Sequence, residues 1–468
     1  MDPIEPVYGT ATLLLIAAAA VAILLFLIIK VRLHAFIALV LVSLLTAVAA
    51  GIPLADVPTA LTSGFGSTLA SVALLVGFGV MLGRLLEVSG GAQVLADTLI
   101  GRFGEKRAPL ALGVAALIFG FPIFFDAGLV VFLPIILTVA RRFGGSILYY
   151  ALPAAGAFAA MHALVPPHPG PVAAGTVLGG DLGVVLLVNL PIVLIAWYVG
   201  VYLVSRQLGA RIDVALPDLL FGEVGDANTG DGTAVATKVA PPTFVTVFGL
   251  LAIPLVLISF NTVLSTLVSS GSIEEGNAVV DALILLGNTP VALLVTLLAA
   301  IGLLGTRDRT LSQTTDLLDK SLGPICSIIL ITGAGGMFGG VLRASGIGDA
   351  LTSSLSGLGI PLLLQAFLIA TALRVAQGSA TVALTTASGL IASQAAGLSD
   401  LRIALLVTAI AAGATVLSHV NDSGFWLVSR FFGMDEKTTL KTWTVMETTL
   451  GLSAFAVAVV LWPLAGVL

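Results

Sequence analysis

The chain has 468 residues, 58% of them hydrophobic and only 10% charged, with a mean hydropathy of +1.13. A soluble domain of that length needs far more charge to cover its surface, so the composition describes an integral membrane protein. The net charge of -5 says little about partners, but the few basic residues are spread through loops and form no patch suited to nucleic acid. The single cysteine, Cys326, excludes an intrachain disulfide, and no Cys/His spacing suits zinc or an iron–sulfur cluster, so no cofactor or metal is expected.

The first apolar run, residues 11–29, follows Asp2 and Glu5 and precedes Lys30 and Arg32, the reverse of a secretory signal. It is expected to be an uncleaved span with its N-terminus outside. Lys30 and Arg32 then place the start of the next span, 36–50, in the cytoplasm. Further on, "GFGVMLGRLLEVSGGAQVLADTL" from Gly77 keeps register with "GAGGMFGGVLRASGIGDALTSSL" from Gly333. Gly77/Gly333, Gly79/Gly335, Met81/Met337, Gly83/Gly339, Ser89/Ser345 and Gly90/Gly346 all align without a gap. Such agreement predicts duplicated units. Arg84 and Glu87, three apart on one helix, read as a structural pair.

Residues 108–140 contain "FGFPIFFDAG", with Arg102, Lys106 and Arg107 before them and Arg141 and Arg142 after. Basic clusters at both ends favour a re-entrant hairpin over one crossing, which would put one cluster outside. Next comes a helix at about 150–178 interrupted by "HALVPPHPGPV". Its Pro166, Pro167, Pro169 and Pro171 remove N–H donors and block regular helix. Irregular backbone at membrane depth is tolerated only within protein or beside a water-filled cavity, so this stretch is expected to line one.

Residues 1–205 thus form a first unit, and the polar, Asp/Gly/Thr-rich stretch 206–242 a cytoplasmic linker without catalytic role. Residues 243–468 repeat the plan. A span at about 291–304 is followed by Arg307 and Arg309, which place its end inside and invert this half relative to the first. A second hairpin, 361–394, has the tip "RVAQGSATVAL" and opens outward. A second broken helix, 403–432, carries "LSHVNDSGFW". The expected fold is an all-α polytopic membrane protein of two inverted-topology repeats, about ten transmembrane helices plus two re-entrant hairpins, with both termini outside.

Interrupted helices expose free N–H groups at N-termini, so four converging breaks suit a small anionic substrate at the membrane centre. The candidate substrate-binding residues at these breaks are His162, His168, Gln377, Ser379, Thr381, His419, Asn421, Ser423 and, ahead of the second tip, Arg374. Hydroxyls and amides suit a polyhydroxylated molecule, each of whose OH groups needs a partner once dehydrated. Asp126 and Asp422 are the candidate proton-coupling residues, because intramembrane carboxylates mark pathways and relays. Blander roles stay open. A buried histidine can simply hold a bend, Asp422 can cap the helix that follows it, and Arg374 can be an ion-paired arginine.

The stretches "LLEVSGGAQ", "FFDAG", "HALVPPHPGPVAA", "GSATVA" and "LSHVNDSGFW", with "FFGMDEKTTLKTWTVMET" after it, resemble the gluconate:proton symporter (GntP) family. The likeness runs from about Leu33 to the C-terminus. It implies proton-coupled uptake of gluconate or a related sugar acid through the inner membrane, without enzymatic activity. It also implies the ion-transporter superfamily architecture: a homodimer embedded in lipid, with a scaffold domain and a moving transport domain working as an elevator. Family members differ in substrate, and D-serine or glycerate-like acids are alternatives. Sodium coupling is a second alternative, since unwound carbonyls with Asn421, Asp422 and Ser423 can hold a hard cation. The linker after Arg206 is longer and more acidic than the family leads one to expect.

Overall fold

A computed structural model describes residues 7–466 except 92–93, 95–96, 99–100, 102–103, 105–106, 122–123, 167, 218–240, 270, 275, 324–325 and 348–359. Arg102, Lys106, Pro167, most of the linker and the Glu87 side chain of the expected Arg84–Glu87 pair lie outside the described residues.

The described chain is helical throughout. In order the helices are α1 (Thr10–Ile29), α2 (Ala35–Ala49), α3 (Val57–Val88), α4 (Ala108–Gly120), α5 (Phe125–Phe143), α6 (Leu148–Leu164), α7 (Pro169–Val177) and α8 (Leu182–Arg211). There follow α9 (Phe244–Ser269), α10 (Ala278–Leu286), α11 (Thr289–Gly305), α12 (Leu311–Leu322) and α13 (Cys326–Ala344). Last come α14 (Leu362–Gln377), α15 (Ala380–Ala395), α16 (Asp400–Thr415), α17 (Ser423–Phe431) and α18 (Glu436–Leu461).

Six of these stretches are long and apolar enough to cross a membrane, and α10 with α11, bent by 68° at their junction, make a seventh if taken as one span. This is fewer than the sequence suggests. Helices such as α2, with 15 residues, and α16, with 16, are too short to cross a hydrocarbon core of about 30 Å at 1.5 Å per residue. Helix α8 runs on through a π-helical stretch, Trp197–Leu203, to Arg211, past the point where composition alone starts the linker. Ser146 holds the following residues in place, donating to the Ile212 carbonyl at 2.9 Å and accepting from Val214 N–H at 3.2 Å.

Helices α6 and α16 are buried on nearly every face, the signature of central helices, whereas α1 turns Leu15, Ile23 and Phe26 outward. Helix α4 packs on α6, and α14 packs in the same way on α16. Helix α18 lies against α16 and α8, and α3 against α13. The α3–α13 crossing is built from small residues. A Cβ on Gly340 would stand 2.8 Å from the Gly64 Cα, so the two backbones touch directly.

One buried amide ties three helices together at the centre. Asn189 of α8 donates to the Leu164 carbonyl at the end of α6 at 2.6 Å, and accepts from the Thr408 hydroxyl of α16 at 2.5 Å.

Candidate functional site

Several helices end inside the protein. Helix α4 stops at Gly120 and α5 starts at Phe125; α6 stops at Leu164 and α7 starts at Pro169. Helix α14 stops at Gln377, α15 starts at Ala380, α16 stops at Thr415 and α17 starts at Ser423. Proline accounts for the start of α7, since Pro169 at its first position has no N–H to place in a preceding turn. At the third, Gly378 sits at φ +78 against the Asn421 carbonyl, where both the left-handed backbone and the close approach exclude a side chain.

The N-termini of α5, α15, α17 and α11 border one cavity of about 580 Å³. Helices α3, α6, α13 and α18 complete its wall through Ser67, Thr68, His162, Arg343, Trp443 and Glu447. The positive ends of four helices therefore border the same space, with Ser379 and Asp422 already capping α15 and α17.

The α14 tip and the α16–α17 break are locked to each other by charge. Arg374, 4% exposed, places Nη2 2.5 Å from Asp422 Oδ2, and its Nη1 donates to the Gly378 carbonyl. The Ser418 hydroxyl donates to the same Asp422 oxygen at 2.5 Å, and Gly424 N–H donates to Oδ1 at 3.0 Å, so Asp422 also caps α17. Trp443 Nε1–H extends the chain to Ser418 Oγ at 2.9 Å. Asn421 Nδ2 donates to the Val375 carbonyl at 2.7 Å, leaving its Oδ1 unsatisfied among the described residues.

Of the residues singled out from sequence, Asp126, His162, Arg374, Ser379, Thr381, Asn421, Asp422 and Ser423 all line the cavity. His168, Gln377 and His419 do not. His168 is 3% exposed and Nε2 meets the Gly120 carbonyl at 2.9 Å, where a carbonyl acceptor requires the Nε2–H tautomer. His419 Nε2 meets the Val375 carbonyl at 2.9 Å in the same manner. Gln377 is buried at the end of α14, and its backbone carbonyl accepts from Arg343 Nη1 at 3.3 Å. The two histidine side chains thus bond across the breaks, while the Gln377 side chain leaves its Oε1 without a hydrogen-bond partner among the described residues.

Two charged wall residues escaped the sequence reading. Arg343 of α13 reaches the cavity with no carboxylate in ion-pair range among the described residues, so its guanidinium can take an anion. Glu447 of α18 is buried against the same space. No group of three or more metal-ligating side chains occurs among the described residues.

The chain matches the GntP family permease profile across residues 12–465. It belongs to the GntP permease family. Within that family it is 39% identical to the inner membrane permease YgbN of Escherichia coli K12 over 97% of this chain and 99% of that one. It is 34% identical to a gluconate permease of Bacillus licheniformis, over 96% and 99% of the two chains. The Gnt-II system L-idonate transporter of Escherichia coli K12 is 36% identical, over 94% and 96%. Among solved structures, the Alcanivorax borkumensis YdaH transporter aligns with 92% of this chain and 98% of its own, at 14% identity and a TM-score of 0.42. A GntP permease is a transporter and not an enzyme.

Proposed function

We propose that this GntP permease takes up gluconate, or a closely related sugar acid, together with protons, across the inner membrane. One observation carries the reading: four helix N-termini and the unpaired Arg343 face a single polar cavity sized for a small organic ligand. Arg343 and the N-termini of α15 and α17 would receive the carboxylate. Ser379, Thr381, Asn421, Ser423 and His162 would meet the hydroxyls, with Arg374 held in the wall by its ion pair with Asp422. His168, Gln377 and His419 would act by holding the breaks. The proton would sit on a carboxyl of the wall, for which Asp126 and Asp422 are the sequence's candidates.

The same reading takes α4–α5 and α14–α15 as two re-entrant hairpins in inverted repeats, 1–205 and 243–468, joined by a cytoplasmic linker, 206–242, with both termini outside. The matching packing of α4 on α6 and of α14 on α16 supports it. Alternating access would follow an elevator motion of a transport domain against a scaffold in a homodimer, with lipid around it. Crosslinks that tie scaffold to transport domain should then stop exchange; undiminished exchange would rule the motion out.

The test is uptake of radiolabelled gluconate into proteoliposomes under an inward proton gradient, with and without sodium, with L-idonate, D-serine and glycerate as competitors. Proton-driven accumulation without sodium is expected. Uptake that ignores the proton gradient and follows sodium would refute proton coupling, and transport of a competitor in place of gluconate would refute the substrate.

A further inference from the structure

Three carboxyl groups line the cavity, and their surroundings differ in kind. Asp126 lies in the first turn of α5, where free N–H groups and the helix dipole favour an anion. Asp422 caps α17 and is bonded by Arg374, Ser418 and Gly424. Glu447 has none of these supports. It sits in the middle of the 26-residue α18, far from either helix end, and is 3% exposed. Its Oε1 has no hydrogen-bond partner among the described residues, and no cationic nitrogen there stands within 4.0 Å of it.

An unpaired carboxylate at that depth is costly, whereas a neutral acid is tolerated. We infer that Glu447 is the proton-carrying group of the transport cycle, the site whose protonation is coupled to substrate binding. The inference rests on the proton-coupled reading above and replaces its two candidate carboxyls with a third.

The coupling follows from the charges that face Glu447. Across the cavity these are Arg374 of α14, Asp422 of the α16–α17 break, Asp126 of α5, His162 of α6 and Arg343 of α13. On the other side of α18, α8 brings Gly200 against the Thr449 backbone, and α1 has no titratable residue. An ionised Glu447 therefore competes with the substrate carboxylate for the field of Arg343 and Arg374. A protonated Glu447 leaves that field to the substrate. Proton and anion then favour each other's binding, and by reciprocity each raises the other's affinity equally.

The experiment uses the full chain in proteoliposomes, with radiolabelled gluconate as probe. Wild type must first accumulate gluconate under an inward proton gradient; failure at that step refutes the coupled reading itself, before Glu447 is at issue. Given coupled wild type, E447Q is expected to lose accumulation while still exchanging internal for external gluconate, with the pH dependence of exchange abolished. Accumulation by E447Q with the wild-type pH profile overturns the assignment. Should E447Q fail to fold, E447D decides, because moving the carboxyl by one methylene is expected to displace the pH midpoint of uptake. An E447D midpoint identical to wild type also overturns the assignment.

Discussion

Replacing Asp422 separates its two jobs. Asp422→Ala would leave Arg374 charged, 4% exposed and without its carboxylate, a loss of about 3–5 kcal/mol for a broken buried pair. Loss of the α17 cap adds about 1 kcal/mol. The sum is a large part of the roughly 5–15 kcal/mol that holds a typical protein folded. Asp422→Asn keeps an oxygen for Gly424 N–H, since Asn caps as well as Asp, and should lose only the ion-pair part. Adding Arg374→Met to Asp422→Asn removes the stranded charge and should restore most of the stability, because buried pairs exchanged for apolar packing are often neutral. The assay is thermal and denaturant unfolding of purified protein in detergent, followed by tryptophan fluorescence, to which Trp443, bonded to Ser418 beside the pair, contributes. If Asp422→Ala and Asp422→Asn both unfold within about 1 kcal/mol of wild type, the range of ordinary surface changes, the pair does not lock the two breaks together. A double variant no more stable than Asp422→Asn would refute the charge argument separately.

Arg343→Gln should raise the half-saturation concentration for gluconate uptake roughly ten- to hundredfold, the worth of one charge-assisted bond, with Arg343→Lys less affected. An unchanged concentration dependence would remove Arg343 from the site. Gly340→Leu should cost about 1–3 kcal/mol by forcing α13 away from Gly64 of α3, and Gly64→Leu should act alike. Equal melting of either variant and wild type would show that the backbones have room to part. Asn189→Leu should cost about 1–3 kcal/mol in the same unfolding assay, because the Leu164 carbonyl and the Thr408 hydroxyl would both lose a buried partner. A neutral result would mean the amide is replaceable by packing.

The sites of the helix breaks were legible because they are written in backbone chemistry. Pro169 and Pro171 beside His168, and Gly378 between two apolar arms, interrupt helices wherever they occur in a span. Which side chains face the cavity was less legible. His168 and His419 sit in irregular backbone, which has no 3.6-residue period from which to assign a face, and Gln377 ends α14; none of the three lines the cavity. Glu447 could have been found, since an acid in an otherwise apolar stretch of α18 is a signal in its own right. It was hidden by the polar start of that helix, where Glu436, Lys437 and Lys441 make one more charge unremarkable. Arg343 is less legible: in the register of Met337, Gly339 and Ser345 with the first half it stands opposite Glu87, so the repeat does not mark it as a shared site residue. The described residues hold six helices long and apolar enough to cross alone; α2, α14 and α16 are each shorter than that, α14 falling in the expected second hairpin and α16 in the expected second broken helix.

The cavity draws its wall from Ser67 near one end of the chain to Glu447 near the other, and this bears on how the protein is made. At about 5–20 residues per second, Asp126 emerges on the order of half a minute before Glu447. Arg374 likewise leaves the ribosome before Asp422 exists to neutralise it. During that interval the early helices must wait with polar groups uncovered, at the bilayer surface or beside the insertion machinery, and the binding chamber comes into being only when α18 docks. A chain cut short before Asp422 would thus present Arg374 as an uncompensated intramembrane charge, a mark by which membrane quality control could recognise and remove it.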